Sequence, residues 1–499
     1  LGFVCKDLSD YGVTWDEAKP NFEAALRQAD WFSRLGELER PFSRETIDKY
    51  WKTTSDHPSL PRTLAALSYL GLNRILGTIP ALRFPNAVWF ALMAAVVFHW
   101  TASKWTIQAG FAALAALLLM PRLFSEAHIL SLDLPITALW VLTAWAFVKG
   151  LESWGWGVAT GILYAIAVTT KLHAFFLPFP LVAWTLWRAH KHWYRPVLPM
   201  AVLAPVFYVG LQPWLWFDTG TRLAERFFHY ADKSVGNPIK LFYFGQLYSN
   251  NTPWHYSIVL ILVTVPILTL VLSLIGISRV WVHRHAEPDG ILLLLLFLVP
   301  PCLLFLPRAQ GYDGTRLFME CFPFLACLSG IGWEQLRTRM LHKVGLDRMK
   351  ARRILIVLTF VWLIPICVQM VLLHPCQLGY YNELIGSLPG ARLVGMESTY
   401  WCDAITPDLI EEMNTALPEN SHVVTMSMSV AVLPFYQQVG LLRSDLRLDV
   451  PDTPADFHLL QCRQGMFGQI EWYYYKTRTP IYRVERFGVP LMLLFSEEQ

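Results

Sequence analysis

Residues 83–101 read RFPNAVWFALMAAVVFHWT, and no charged side chain follows Arg83 in this stretch. An α-helix needs about 20 mostly apolar residues to cross the hydrocarbon core of a bilayer, so the stretch predicts a membrane span. The composition agrees, because 54% of the 499 residues are hydrophobic and only 16% are charged. Soluble proteins average about a quarter charged residues. We therefore expect an all-α polytopic membrane protein.

Further apolar stretches of similar length follow along the chain. They lie at about 105–121, 134–150, 154–170, 172–187, 197–217, 257–278, 290–306, 315–333 and 354–373. Leu1–Cys5 is interpreted as the end of a first span, which gives about 10–11 spans in all. The middle of each stretch carries no charge, so we do not expect an ion path through the membrane.

The basic loops predict the orientation, because Lys and Arg concentrate on the cytoplasmic side. The loops at 188–195, 279–284 and 337–353 fall on one side when the spans are counted. The opposite, extracytoplasmic side then receives Asp133, Lys171, Arg308, Arg316 and everything after His374.

The apolar stretch 60–76 decides where the first loop lies. It contains Arg62 and Arg74, which favours a helix in the interface rather than a span. Asp16 and Glu17 then face the same side as Asp133, and this co-location indicates a site.

The first loop contains the most informative short motif, Tyr11-Gly12-Val13-Thr14-Trp15-Asp16-Glu17. Two adjacent carboxylates beside a Trp at a membrane surface indicate acid–base or cation chemistry. A solvated loop or a helix cap is the alternative interpretation. Asp133 opens a span two residues before Pro135, where a helix N-cap is again the alternative.

The order of three motifs resembles the membrane-embedded C-type glycosyltransferases. It is most similar to glycosyltransferase family 39, the protein O-mannosyltransferases, and to its bacterial aminoarabinose-transferase relatives. The motifs are Tyr11–Glu17, then His57-Pro58-Ser59-Leu60, then Leu132-Asp133-Leu134-Pro135, and the resemblance covers residues 8–335. Ser59 departs from the commoner His-Pro-Pro-Leu. The segments His374-Pro375, Tyr380-Tyr381-Asn382 and Glu397–Trp401 resemble the post-membrane part of certain bacterial members.

The resemblance implies a glycosyltransferase of hexosyl or mannosyl type. Its donor is expected to be a sugar linked to polyprenyl phosphate, like dolichyl-phosphate-mannose, and its acceptor a protein, a lipid or a glycan. It implies that Asp16 is the base that takes the acceptor proton, with inversion at the anomeric carbon. Glu17 is expected to orient the acceptor or hold a cation, and Asp133 to add a second acid to the same pocket.

Four cationic or His side chains are candidates for the donor phosphate: His57, Lys171, Arg308 and Arg316. Arginine suits a phosphate because its planar fork forms paired hydrogen bonds to an oxyanion. Arg316 enters a span and needs a partner there. His57 has the alternative of capping the interfacial helix, and Lys171 of snorkelling to the membrane surface.

The predicted partners are membrane lipid, the lipid-linked donor and the acceptor. The net charge of +3 and the lack of a basic-aromatic strip exclude nucleic acid. Metal dependence stays open, since Asp16, Glu17 and Asp133 offer oxygen ligands for a divalent cation. We expect an integral protein of a bacterial inner membrane, acting in the cell envelope with its active site facing the periplasm, rather than a protein of the endoplasmic reticulum.

After residue 375 the character of the sequence changes. Thr406–Leu417 predicts a helix, and Val423–Met426, Phe457–Leu460 and Leu491–Phe495 predict strands. We expect an extracytoplasmic α/β domain at 375–499, after a catalytic loop region at 1–82 and a membrane domain at 83–374. The alternative functions are a flippase or transporter of lipid-linked saccharides and a catalytically inactive membrane scaffold.

Overall fold

The computed structural model describes residues 1–52, 57–236, 239–249, 252–306, 309, 311–342 and 348–497. Helices dominate, as the apolar runs predict. The α-helices are α1 Gly2–Lys6, α2 Glu23–Ser33, α3 Arg44–Trp51, α4 Leu60–Leu76, α5 Thr78–Lys104, α6 Ile107–Leu118, α7 Pro121–Glu126, α8 Asp133–Gly150, α9 Trp154–Thr170, α10 Pro178–Trp187, α11 Tyr194–Gly210, α12 Thr219–Gly236, α13 Tyr256–Thr264, α14 Ile267–Val282, α15 Pro288–Leu303, α16 Cys321–His342, α17 Arg348–Leu373, α18 Ser387–Leu393, α19 Pro407–Ala416, α20 Val432–Gln438 and α21 Gln469–Thr477.

Shorter helical turns connect several of these helices. A π-helical turn spans Glu17–Phe22, and 3-10 turns span Leu172–Phe176, Pro213–Trp216, Arg316–Phe318, Gln377–Gly379, Glu383–Ile385 and Gln464–Met466. Two of them, at Glu17 and Arg316, begin on residues that the sequence marks as functional.

The long apolar helices make this an integral membrane protein. Among the described residues, Thr78–Lys104, Arg316–His342 and Met349–Leu373 are long and apolar enough to cross a bilayer. Shorter apolar helices coincide with other predicted spans: Ile107–Leu118, Leu172–Trp187, Tyr194–Gly210 and Pro288–Leu303. The helical membrane fold is confirmed, and the number of spans stays a prediction.

The predicted span 257–278 is instead a pair of helices. α13 and α14 meet at an angle of 116°, because Pro266 has no N–H to donate and holds Val265 in an extended conformation. The break leaves carbonyl groups without helical partners. Asn382 satisfies three of them, donating from its side chain to Leu262 and Val265 at 2.7 Å and from its backbone to Val263 at 2.8 Å.

The C-terminal region forms the predicted small α/β domain. Its five-stranded sheet has the order β4-β3-β5-β7-β6, with β3 His422–Met426, β4 Arg447–Leu448, β5 Phe457–Gln461, β6 Tyr482–Arg486 and β7 Val489–Ser496. β3 pairs in parallel with β4 and β5, and β7 pairs antiparallel with β5 and β6. The three predicted strands are β3, β5 and β7. β4 and β6 are the edge strands, and β6 escapes prediction because its outward side chains are charged. A separate hairpin pairs β1 Leu241–Tyr243 with β2 Gln246–Tyr248.

Charged side chains lie at both ends of α8 in the membrane domain. It begins at Asp133 and runs for about 27 Å at 1.5 Å per residue. Around its far end, Lys104 pairs with Asp289 at 2.7 Å, and Arg188 and Glu152 line a neighbouring cleft. The loop at Arg188, predicted to be cytoplasmic, therefore lies at the opposite end of α8 from Asp133.

Candidate active site

A cavity of about 670 Å³ opens where the first loop, the start of α8, the end of α9 and the C-terminal region meet. Polar and aromatic side chains line it: Trp15, Asp16, Lys19, Asn21, His57, Arg62, Lys171, Lys240, Tyr312, Asp313, Arg316, Trp401 and Arg463. These residues come from seven separate parts of the chain. Four of the residues predicted from sequence lie in this wall, namely Asp16, His57, Lys171 and Arg316.

Arg316 lies at the centre of the ionic contacts in this cavity. Its Nη2 donates to Asp16 at 2.8 Å, its Nε to Asp133 at 3.1 Å and its Nη1 to Asp313 at 2.9 Å. The Asp16 side chain keeps 34% of its surface exposed, whereas the Asp133 side chain is fully buried. One guanidinium therefore links the two acids that the sequence assigned to a common pocket.

Asp133 also holds Lys171. Its Oδ1 accepts from the Lys171 ammonium, and its Oδ2 accepts from Arg316. Leu132 is the N-cap of α8 and Asp133 is its first helical residue, with both carboxylate oxygens bound to cations, so the N-cap interpretation is wrong. A carboxylate in a first helical turn is still favoured by the helix dipole. Asp133 thus brings two cations to one side of the cavity.

Glu126, at the end of α7, is a second buried acid near this group. It accepts from the Ser131 hydroxyl at 2.7 Å. Burial, reinforced by the nearby Asp133 carboxylate, raises the pKa of Glu126 to about 8. A neutral Glu126 avoids placing a second negative charge beside Asp133 at pH 7.

Asp313 joins Arg316 to the C-terminal region. Its Oδ2 accepts from Arg316 and from the indole Nε1 of Trp401, each at 2.9 Å. Its Oδ1 accepts from Arg463 at 2.5 Å. The Trp401 ring also lies 3.8 Å from the guanidinium carbon of Arg316, as measured to the ring centroid.

Glu17 points away from the cavity, and its predicted catalytic role is not supported. Arg83 Nε and Nη2 each donate to it at 2.7 Å, and Leu130 N donates at 2.7 Å. The backbone and hydroxyl of Thr14 add two more hydrogen bonds. Both side chains of the Glu17–Arg83 pair are fully buried. A carboxylate with its lone pairs occupied in this way has a structural role.

The same placement bears on the predicted cation site. Glu17 is separated from Asp16 and Asp133, and each of those acids is already paired with a cation. Within the described ranges, no group of three or more His, Cys, Asp or Glu side chains is arranged to hold a metal ion. The three acids therefore do not fit a divalent cation.

Two further residues were predicted to contact the donor phosphate, His57 and Arg308. His57 lines the cavity beside Arg62, whose Nη1 donates to the His57 carbonyl at 3.3 Å and whose Nε donates to Asn21 at 3.0 Å. His57 thus lies in the wall of the cavity, and its contact with a donor phosphate stays a prediction. Arg308 lies outside the described residues.

Sequence reasoning missed three residues of the contact network around Arg316, namely Asp313, Trp401 and Arg463. Asp313 lies between the two arginines noted at 308 and 316, and Trp401 ends the motif Glu397–Trp401, so each stood inside a segment that was already marked. Arg463 follows β5 and has no motif around it. Its position depends on the sheet that carries it.

Comparison with known families agrees with the motifs. Residues 56–217 match the family model described as Dolichyl-phosphate-mannose-protein mannosyltransferase. The sequence has no match among curated proteins. The family match starts just before His57 and includes Asp133 and Lys171.

The fold is similar to that of a solved structure over almost the whole chain. ArnT from Cupriavidus metallidurans in the apo state has a TM-score of 0.54 at 16% identity, over 99% of this chain and 96% of ArnT. ArnT from the same organism bound to undecaprenyl phosphate gives 0.54 at 15% identity and the same coverage. The resemblance to family 39 and its bacterial relatives is confirmed, as is the C-type fold with a C-terminal α/β domain.

Proposed function

We propose that this protein transfers a sugar of hexosyl type from a polyprenyl-phosphate donor to an acceptor on the extracytoplasmic face of the membrane. The observation that carries the proposal is that Arg316 donates hydrogen bonds to both Asp16 and Asp133, at a cavity that Lys171 also lines. A base and two cations in one pocket suit displacement of a phosphate leaving group. The match to a mannosyltransferase model and the ArnT fold support the same reaction class.

The cations are suited to the donor phosphate. Lys171 uses one of its N–H groups on Asp133, which leaves donors for a phosphate oxygen. Arg316 uses all three of its nitrogens on carboxylates, and the contact with Asp16 is the most exposed of the three. An incoming phosphate competes for this edge of the guanidinium. Donor binding then releases the Asp16 carboxylate to act on the acceptor.

Asp16 is the proposed base. It takes the proton of the acceptor hydroxyl or amine as that group attacks the anomeric carbon, while the bond to the phosphate oxygen breaks. Attack from the face opposite the phosphate inverts the anomeric centre, so one carboxylate is sufficient. The charge that develops on the leaving phosphate is stabilised by Arg316 and Lys171.

An apolar groove next to the cavity suits the polyprenyl tail. It measures about 500 Å³ and lies between α9, α11 and α12, with walls that include Val168, Leu172, Phe175, Ala204, Tyr208 and Phe228. Lys171 lines the cavity and its chain neighbour Leu172 lines the groove. A donor whose phosphate contacts Lys171 therefore has an apolar surface directly beside it.

The orientation supports an extracytoplasmic reaction. The loop at Arg188, from the basic side of the sequence, lies at the end of the membrane domain opposite the cavity. By the positive-inside tendency that end faces the cytoplasm. In a bacterium the cavity then opens to the periplasm.

The test is a transfer assay in proteoliposomes with labelled polyprenyl-phosphate mannose and an envelope extract as the acceptor pool. Release of free polyprenyl phosphate with transfer of label is the expected result. Asp16→Asn is expected to lower the rate by at least 100-fold, whereas Asp30→Asn, on the exposed face of α2, leaves it unchanged. Wild-type rates in Asp16→Asn, or donor movement across the bilayer without transfer, would refute the proposal.

A further inference from the structure

The loop that carries Asp16 rests on the segment that leads to the C-terminal domain. The backbone N–H of Trp15 donates to the carbonyl of Trp401 at 3.0 Å, and that of Val13 donates to the Tyr436 hydroxyl at 2.7 Å. Gly12 packs so closely that an added Cβ would lie 2.7–2.9 Å from three backbone carbonyls in residues 402–405. The position of Asp16 therefore depends on residues more than 380 positions later in the chain.

Trp401 touches both charged partners of the site. Its ring covers one face of the Arg316 guanidinium, and its Nε1 donates to the same Asp313 oxygen that accepts from Arg316. Trp401 has a backbone φ of 57°, which is uncommon for a bulky residue and costs conformational energy. Such strain persists only where the surroundings hold the residue in place.

Arg463 completes the contacts of Asp313 from the C-terminal domain. It is almost fully buried and donates to the Asp313 oxygen that Arg316 does not use. A carboxylate held between two guanidinium groups and an indole N–H has little freedom to rotate. Arg316 is consequently held on two sides, by the Trp401 ring and by Asp313.

We propose that Trp401 and Arg463 are positioning residues, through which the C-terminal region fixes the orientation of Arg316 toward the leaving phosphate. This inference rests on the proposed function. It gives the C-terminal domain a part in the site itself, independent of which acceptor is used. Neither residue is required to touch the donor.

Positioning predicts a specific kinetic pattern. A misoriented Arg316 stabilises the developing charge less well, so kcat falls while KM for the donor changes little. We expect about a tenfold loss of kcat for Trp401→Phe, which keeps a ring but lacks the indole N–H, and a larger loss for Trp401→Leu. KM for polyprenyl-phosphate mannose is expected to stay within about threefold of wild type.

Binding provides a measurement that does not need turnover. Free polyprenyl phosphate carries the charge of the departed leaving group, so its Kd is expected to rise about as much as kcat falls. Arg463→Lys, which keeps the charge, is expected to retain more affinity than Arg463→Met. The losses in Trp401→Phe and Asp313→Asn should not multiply in the double variant, because both act through Arg316.

The matched control is Trp105→Phe. Trp105 also donates its indole N–H to a carboxylate, Glu287, at 2.6 Å, but it follows α5 at the far end of the membrane domain. Failure of wild-type transfer would overturn the proposed function. Trp401→Phe and Arg463→Met with the kcat and the polyprenyl-phosphate Kd of Trp105→Phe would overturn the positioning role alone. Melting temperatures of all variants identify any that misfold. If Trp401→Leu misfolds, Trp401→Phe and Arg463→Met decide the test.

Discussion

Glu17 and Arg83 form a fully buried, paired hydrogen bond, with both contacts at 2.7 Å. The neighbouring Asp16 instead pairs with Arg316 at the wall of the cavity. Two carboxylates that are adjacent in the sequence thus serve different purposes. In the proposed mechanism the first is the base, whereas the second holds the loop against α5 through Arg83.

Glu17→Gln is expected to lower the free energy of unfolding by about 3–5 kcal/mol. The change leaves the Arg83 guanidinium buried without a counter-charge, which is the costly way to break such a pair. Thermal or denaturant unfolding in detergent measures this effect. Glu23→Gln is the control, since Glu23 pairs with Lys19 at 4.0 Å on the exposed surface. A Glu17→Gln protein with wild-type stability but no activity would restore a catalytic role for Glu17.

Ala204→Phe is expected to raise KM for the polyprenyl-phosphate donor by about tenfold. Ala204 is nearly buried in the wall of the apolar groove, so a benzyl group there occupies space that the lipid tail needs. Val202→Phe, two residues away on α11, projects from an exposed position and serves as the control. Equal KM values for the two variants would place the tail elsewhere.

Gly12→Ala is expected to destabilise the docked first loop by about 1–3 kcal/mol, with a matching loss of activity. The new methyl group meets backbone carbonyls of Cys402, Asp403 and Ile405 at under 3 Å, and backbone cannot rotate away as a side chain can. Gly36→Ala has open space around its Cβ and is the control. Hydrogen exchange of residues 11–16 reports the docking, and unchanged exchange would contradict this account.

Asp403→Asn is expected to change how stability depends on pH. Burial raises the pKa of the Asp403 carboxyl to about 7, although the Thr399 hydroxyl donates to it at 2.8 Å. The unfolded chain then binds fewer protons than the folded one between pH about 4 and pH about 7. The stabilisation of the folded protein by the protonated Asp403 carboxyl is complete below pH about 4. It is lost as the pH rises through about 7, and it amounts to at most about 4 kcal/mol.

The Asp403→Asn variant is expected to lack this dependence of the free energy of unfolding on pH. Unfolding midpoints at pH 5, 6, 7 and 8 in the same detergent measure the difference between the two proteins. A wild-type protein that gains stability from pH 5 to pH 7 relative to Asp403→Asn would show the opposite sign. Asp403 would then be ionised in the folded state.

The sequence by itself determined that this is a helical membrane protein and that several of its charged residues belong to one cavity. Uncharged apolar runs predict spans because bilayer thickness fixes the length of a helix that crosses it. Counting those spans put Asp16, Asp133, Lys171 and Arg316 on one side, and the structure brings these four together. Pro266 is visible in the sequence as a residue that can break a helix. The apolar stretch continues on both sides of it, however, so the sequence analysis predicted a single span there.

Only the tertiary structure decided where Glu17 points and what holds Arg316. Arg83 stands 66 residues from Glu17, and Arg463 stands 150 residues from Asp313. No local pattern links such residues, because their pairing is set by how whole helices and a sheet pack rather than by the period of one segment. The length of an apolar segment is a local property that can be read from the sequence, whereas the partner of a buried charge depends on how the whole fold is assembled.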